Sequence, residues 1–214
     1  MEAWPVLLLG FLLGLRHATD ADHVVAVTTI VSRQKRLGIA ALIGMIWGLG
    51  HTLTILIVGS LIIYLKVVIP VRLGLAMEFA VGVMIVILGI ISLKKFARPH
   101  ETAHEAILVR PFVVGLIHGM AGSAAVALML LNLIPSPELG ALYLLIFGLG
   151  TVAGMTGITF LIGLPYIFTT RLHTFHRYLG LATASFSIIF GLTMMYELGI
   201  VNGLFTDHPV WTPE

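Results

Sequence analysis

Arg16-His17-Ala18-Thr19-Asp20-Ala21-Asp22-His23 gathers five ionisable side chains into eight residues, at the centre of an otherwise largely apolar stretch covering residues 4–31. If that stretch spans a membrane, the cluster lies near the bilayer midplane. One ionised Asp or Arg at that depth costs roughly 2.5–3.5 kcal/mol even on a mild insertion scale. The cluster can be buried only if its members satisfy one another or a ligand.

Arg16 and Asp20 are spaced i,i+4 and can pair on a helix. His17, Asp22 and His23 then have lone pairs to offer, and imidazole and carboxylate are ligands that borderline divalent metals accept. On a regular helix His17 and Asp22 are about 140° apart, and His17 and His23 about 240°. They cannot converge on one ion from a straight helix. The first helix is therefore expected to be broken near residues 17–23, in the way transporters unwind helices at an ion site. The competing reading is a closed hydrogen-bonded clamp between helices, made of two carboxylates, two imidazoles and Arg16.

Composition gives the frame around this cluster. The chain has 214 residues, of which 58% are hydrophobic and 10% charged, and its mean hydropathy is +1.06. Soluble domains carry about 25% charged residues, so lipid is expected to be the solvent for most of this chain. Backbone groups in lipid must be satisfied internally. The long apolar stretches lack period-two alternation, so they read as helices, and the fold class is an all-α integral membrane protein. There is no cysteine, which removes thiolate metal sites, disulfides and cysteine catalysis. No Lys or Arg precedes the first apolar run, so it is expected to be a mature span, not a cleaved signal.

Six transmembrane helices can be drawn, at residues 4–31, 39–65, 73–93, 111–133, 139–168 and 178–200. The connections are short, so the chain reads as one transmembrane domain over residues 1–214, with a tail at 201–214. Function must lie inside the bundle. Nine basic residues (Arg33, Lys35, Arg36, Lys94, Lys95, Arg98, Arg110, Arg171 and Arg177) fall in the odd-numbered loops, against Lys66 and Arg72 in the even ones. That bias puts the odd loops in the cytoplasm of a cell-membrane protein and both termini outside. The charge is spread over short loops, so it marks topology and not nucleic-acid binding. The expected partners are a divalent metal ion, the lipid bilayer and a second copy of the chain.

The halves resemble each other. Gly14-Leu15-Arg16-His17 opens like Gly115-Leu116-Ile117-His118, and Trp47-Gly48-Leu49-Gly50-His51 is matched by Phe147-Gly148-Leu149-Gly150-Thr151. Three spans per half is an odd number, so the second copy would run upside down. This gives a 3+3 inverted repeat, with repeat one at about 4–95 and repeat two at about 110–200. His118 then holds the place of His17 and is a candidate for lining the path. His51, beside glycines that permit close helix approach, is a candidate ligand or gate. Glu78 either draws cations to the outer mouth or snorkels as an interfacial carboxylate. His100 and His104 are four apart in a loop that also holds Glu101 and Glu105, and they share one face if it is helical. They read as a solvated turn before a metal shuttle.

The octet at residues 16–23 resembles the signature of the nickel/cobalt transporter (NiCoT) family, a His-x4-Asp-His motif within a helix. Leu49-Gly50-His51-Thr52 resembles that family's second motif. The resemblance implies that His17, Asp22 and His23 bind the metal and that His51 assists selection or passage. It implies no cofactor beyond the transported Ni2+ or Co2+. Typical members have eight spans, where this chain has a six-span core. The third motif carries an Asp and a Glu where Ala121 and Ala125 stand here, and the fourth carries aspartates where Thr159 and Ile162 stand. Residues 119–127 are instead similar to a shorter branch that accompanies urease genes.

Uptake by alternating access is the functional expectation. A potential of 100 mV, negative inside, favours entry of a +2 ion by about 4.6 kcal/mol, on the order of a thousandfold accumulation. The alternative is efflux of the same metals by proton or ion exchange. An intramembrane enzyme is disfavoured, because His-Glu-x-x-His is absent and Ser123 has no evident base. A haem bundle with paired histidines is the remaining alternative.

Overall fold

The computed structural model describes residues 3–32, 34, 36–66, 69–97, 108–120, 136–170 and 172–211. Among these residues the chain is helical, with no strand. The helices are α1 (Ala3–His17), α2 (Ala21–Val31), α3 (Leu37–Leu65), α4 (Val71–Ala97), α5 (Val109–His118), α6 (Pro137–Thr169) and α7 (His173–Tyr196), and α7 runs on into a π-helical turn at Glu197–Val201.

Four segments are long and apolar enough to cross a membrane: Leu37–Leu65, Val71–Ala97, Pro137–Thr169 and His173–Val201. The first expected span is divided between α1 and α2, of 15 and 11 residues, each short of the roughly 20 that a bilayer core requires. The fourth is described only through α5 and its C-terminus, as far as residue 120; residues 121–133, with Ala121, Ser123 and Ala125, lie outside the described residues, as do His100, Glu101, His104 and Glu105.

The helices are set by sequence in recognisable ways. Ser136 caps α6 by accepting the Leu139 amide at 3.3 Å, with Pro137 in the first turn, where a missing N–H costs nothing. Lys94 and Lys95 close α4 at the negative end of its dipole. Lys66, at φ 51°, ends α3 in the left-handed region. The faces are inverted relative to a soluble bundle. Met45, Leu49, Leu53, Ile57 and Leu61, one per turn of α3, are exposed and suit lipid. The inward positions of the same helix include Gly44, Trp47, Gly48, Gly50, His51 and Thr54 beside the apolar Ile43 and Ile55.

Glycines decide how closely the helices cross, and small residues at crossings are the usual device of membrane bundles. α3 packs along α6, α1 lies against α6, α5 lies against α3, and α4 pairs with α7. A Cβ on Gly14 would overlap the Phe147 carbonyl oxygen, and one on Gly115 would overlap that of Trp47. A Cβ on Gly150 would overlap the carbonyl oxygen of Phe11, and one on Gly50 that of Phe112. At the α3–α6 crossing Gly48 faces Val152 and Gly148 faces Thr52. α2 reaches α4, α6 and α7, and Thr29 of α2 is hydrogen-bonded to Ser187 of α7. The chain after α7 folds back onto α4: Trp211 covers Gly74 and donates Nε1–H to Glu78 at 2.8 Å, and Arg72 donates to the Thr206 carbonyl at 3.1 Å.

Candidate metal centre

α1 ends at His17 and α2 starts at Ala21. Between them the amides of Thr19 and Asp20 bond back three residues, to Arg16 and His17 at 2.8 and 3.1 Å, a tightened turn that stops the α-helix. Asp20 then takes extended geometry, with ψ 146°, and α2 begins afresh. This break falls within the interval expected from the charge cluster and re-aims His23 towards His17. Gly154 of α6 backs the turn, where an added Cβ would come within 2.7 Å of Ala18 Cβ. Gly119 lets α5 approach α3 closely, since a Cβ there would stand 2.6 Å from the His51 carbonyl oxygen.

Four imidazoles meet in this space. His17, His23, His51 and His118 are all buried. Ring centroids are 4.5 Å apart for His17 and His23, 5.0 Å for His17 and His51, 5.2 Å for His23 and His51, and 4.0 Å for His23 and His118. One ring nitrogen from each of His17, His23 and His51 lies within 4.8 Å of the others. A second group, Asp22, His23 and His118, meets the same distance and shares His23.

The two carboxylates are engaged in an ordered way. Asp20 Oδ2 lies 2.7 Å from His17 Nδ1. Asp22 Oδ1 accepts from His23 Nδ1 at 2.9 Å and from the His23 amide at 2.8 Å, while Oδ2 accepts from His118 Nε2 at 2.8 Å. The His17 and His51 Nε2 atoms are 3.1 Å apart. His23 Nε2, His51 Nδ1, His118 Nδ1 and Trp47 Nε1 are buried and have no partner among the described residues. Chemically this is a knot of lone pairs with two negative charges beside it, inside an apolar bundle, which is a setting for a borderline divalent cation.

Of the four expected ligands, His17, His23 and His51 are brought within ligand distance of one another, while Asp22 meets His23 in a second group that His118 joins from α5. Arg16 stands exposed, and Asp20 pairs with His17, so the expected Arg16–Asp20 contact is replaced. The helix break removes the i,i+4 relationship on which it depended. Glu78 belongs to neither group and is bonded to Trp211. Sequence reasoning passed over Trp47, whose ring stacks on His23 with centroids 5.8 Å apart and planes 12° from parallel. Its spacing of four residues before His51 was the available signal.

Comparison with known proteins agrees with the motif reading. The chain is 39% identical over 220 residues to urease accessory protein UreH of Bacillus sp. (strain TB-90), covering 96% of each protein. It belongs to the nickel/cobalt transporter family, in the short branch typified by UreH. A protein of Methanocaldococcus jannaschii named "Putative nickel/cobalt efflux system" is 31% identical over 155 residues, covering 70% of this chain and 72% of that one. Chloroplast protein FOR GROWTH AND FERTILITY 2 of Arabidopsis thaliana is 26% identical over 179 residues, covering 76% of this chain and 47% of that protein. No family model matches. No solved structure matches. This family member is a multi-pass membrane protein and not an enzyme.

Proposed function

We propose that the chain carries Ni2+ or Co2+ into the cell through the His/Asp centre by alternating access. The observation that carries the reading is the burial of His17, His23 and His51, from α1, α2 and α3, within ligand distance of one another. Burying so many polar side chains in an apolar bundle is costly, and a bound cation offsets that cost. Asp20 and Asp22 supply two negative charges beside it. His118 lies along the path, reached through Asp22.

The architecture in this reading is six spans in two inverted repeats. α1 with α2 forms the first span, and α5 opens the fourth. The crossings support the repeat: shifting residue numbers by 100 or 101, up for the partner in the first half and down for the partner in the second, carries Gly14–Phe147 onto Gly115–Trp47, Gly150–Phe11 onto Gly50–Phe112, and Gly48–Val152 onto Gly148–Thr52. The basic odd loops face the cytoplasm of a cell-membrane protein, with both termini outside. Inward movement of a +2 ion then needs no coupling ion, because the membrane potential drives it.

Efflux is the second reading, favoured by the name of the Methanocaldococcus jannaschii relative. It would have to exchange another ion against the same potential. Whole-cell nickel separates the two. Expression should raise cell-associated Ni2+ relative to cells carrying the His17→Ala/His23→Ala double variant, whereas lower Ni2+ in the wild-type cells establishes export.

A further inference from the structure

We propose that Phe147 and Trp47 head two apolar gates, one closing each end of the path through the bundle, and that the two gates are opposite copies of one device. This rests on the metal-transport reading and goes beyond it, by assigning the residues that must part on each side for an ion to pass.

The placement carries the argument. Gly48 faces Val152, Gly148 faces Thr52, and a Cβ on Gly44 would overlap the Met155 carbonyl oxygen. α3 and α6 therefore run antiparallel and cross between these contacts. Trp47 lies on the Gly44 side of the crossing and Phe147 on the Thr52 side. The buried imidazoles stand between the two rings. Phe147 is 5.8 Å from His17 and Trp47 is 5.8 Å from His23, centroid to centroid, while His17 and His23 are 4.5 Å apart.

The buried apolar residues divide in the same way. Phe147 falls in one cluster with Tyr143 and Ile55, and Trp47 in another with Ile43 and Met155. Adding 100 to Ile43 and Trp47 gives Tyr143 and Phe147, and adding 100 to Ile55 gives Met155. Each cluster thus holds the repeat mates of the other, on the opposite side of the crossing. None of the six is more than 2% exposed, so both gates are closed here.

A hydrated ion cannot cross packed hydrocarbon, and apolar constrictions close a path by excluding water. Parting one cluster while the other stays packed admits water and ion from one side only. Packed cores also switch between discrete arrangements and do not deform continuously, which suits a gate. Tyr143 adds a buried hydroxyl without a partner among the described residues, and parting its cluster gives that group water.

The chain has no cysteine, so Thr151→Cys places a single thiol between the gates, at the buried repeat mate of His51. Its reaction with a membrane-impermeant methanethiosulfonate is followed in membrane vesicles of both orientations. Phe147→Ala should speed labelling from one face by about tenfold or more, and Trp47→Ala from the opposite face only. Ile55→Ala should act as Phe147→Ala does, and Met155→Ala as Trp47→Ala does. This second pair decides the matter where an aromatic variant fails to fold. A merely structural role would speed labelling from both faces alike, and that result overturns the proposal. So does acceleration from the same face by both clusters, or none by any variant. A structure of the unmodified chain open to one face is the second measurement. One cluster should be parted and the other intact; both parted at once also overturns the proposal. Wild-type vesicles that take up no Ni2+ defeat the transport reading itself, an outcome distinct from transport with the gates elsewhere.

Discussion

His17 Nε2, at the end of α1, and His51 Nε2, on α3, stand 3.1 Å apart. Two nitrogens bound to one metal at about 2.1 Å are about 3.0 Å apart on an octahedral edge and about 3.4 Å on a tetrahedral one. The pair is therefore already spaced for shared coordination. In the proposed site, replacing either ring would remove a ligand, and His23→Ala should do the same. Each single Ala variant should lower Ni2+ affinity by at least about a hundredfold, about 2.7 kcal/mol, by titration calorimetry. Native affinity in all three would place the site elsewhere.

Protons and metal compete for the same ring lone pairs. An imidazole with the ordinary value near 6.5 is free to bind above that pH and is blocked below it. Only the neutral ring offers a lone pair to the metal, so the direction is fixed: binding is lost as pH falls far enough to protonate the rings. Transport of radioactive nickel should therefore decline, and never rise, as the medium is made more acid. A rate that rises as pH falls contradicts imidazole coordination.

The glycine crossings can be checked against glycines that cross nothing. Gly14→Ala and Gly115→Ala each push a methyl into a backbone carbonyl that cannot step aside, and overpacking of this kind costs typically about 1–3 kcal/mol. Gly38 and Gly157 have nothing within 4 Å of an added Cβ, so their Ala variants should be neutral or slightly stabilised. Thermal unfolding in detergent reads the difference. Equal losses at all four positions would mean that the crossings are not what the substitution disturbs.

The Thr29–Ser187 hydrogen bond ties α2 to α7 beneath the candidate centre. Interhelical bonds of this type average about 0.6 kcal/mol in membrane bundles and reach about 1.7. A double-mutant cycle with Thr29→Val and Ser187→Ala should give a coupling in that range. A coupling of zero would assign Thr29 wholly to its own helix, where it also bonds the Val25 carbonyl at 2.9 Å.

Much of this was legible before any coordinates. The break, expected within residues 17–23 and found at 18–20, followed from helix geometry, because His17, Asp22 and His23 cannot converge on one ion from a straight helix. His51 was legible through its glycines and its neighbouring motif. The partners of the carboxylates were not. Arg16 and Asp20 are paired by i,i+4 spacing only while the helix continues, and the same break that sequence reading anticipates cancels that pairing and gives Asp20 to His17. The Asp22–His118 bond joins residues 96 positions apart, and a local pattern holds no information on such a contact. Glu78 illustrates the same limit, since its partner Trp211 is 133 positions away.

α1 lies along α6, while α2, only three residues further on, reaches α4 and α7 as well. In the alternating-access proposal, a bend at Ala18–Thr19–Asp20 would fall between His17 and His23. The joint of such a machine and the seat of its cargo would then be the same few atoms. Occupancy would stiffen the swivel by bridging its two arms, and an empty seat would leave it free to bend. Loading would thus set the mechanical state of the carrier directly, with no separate relay from sensor to lever.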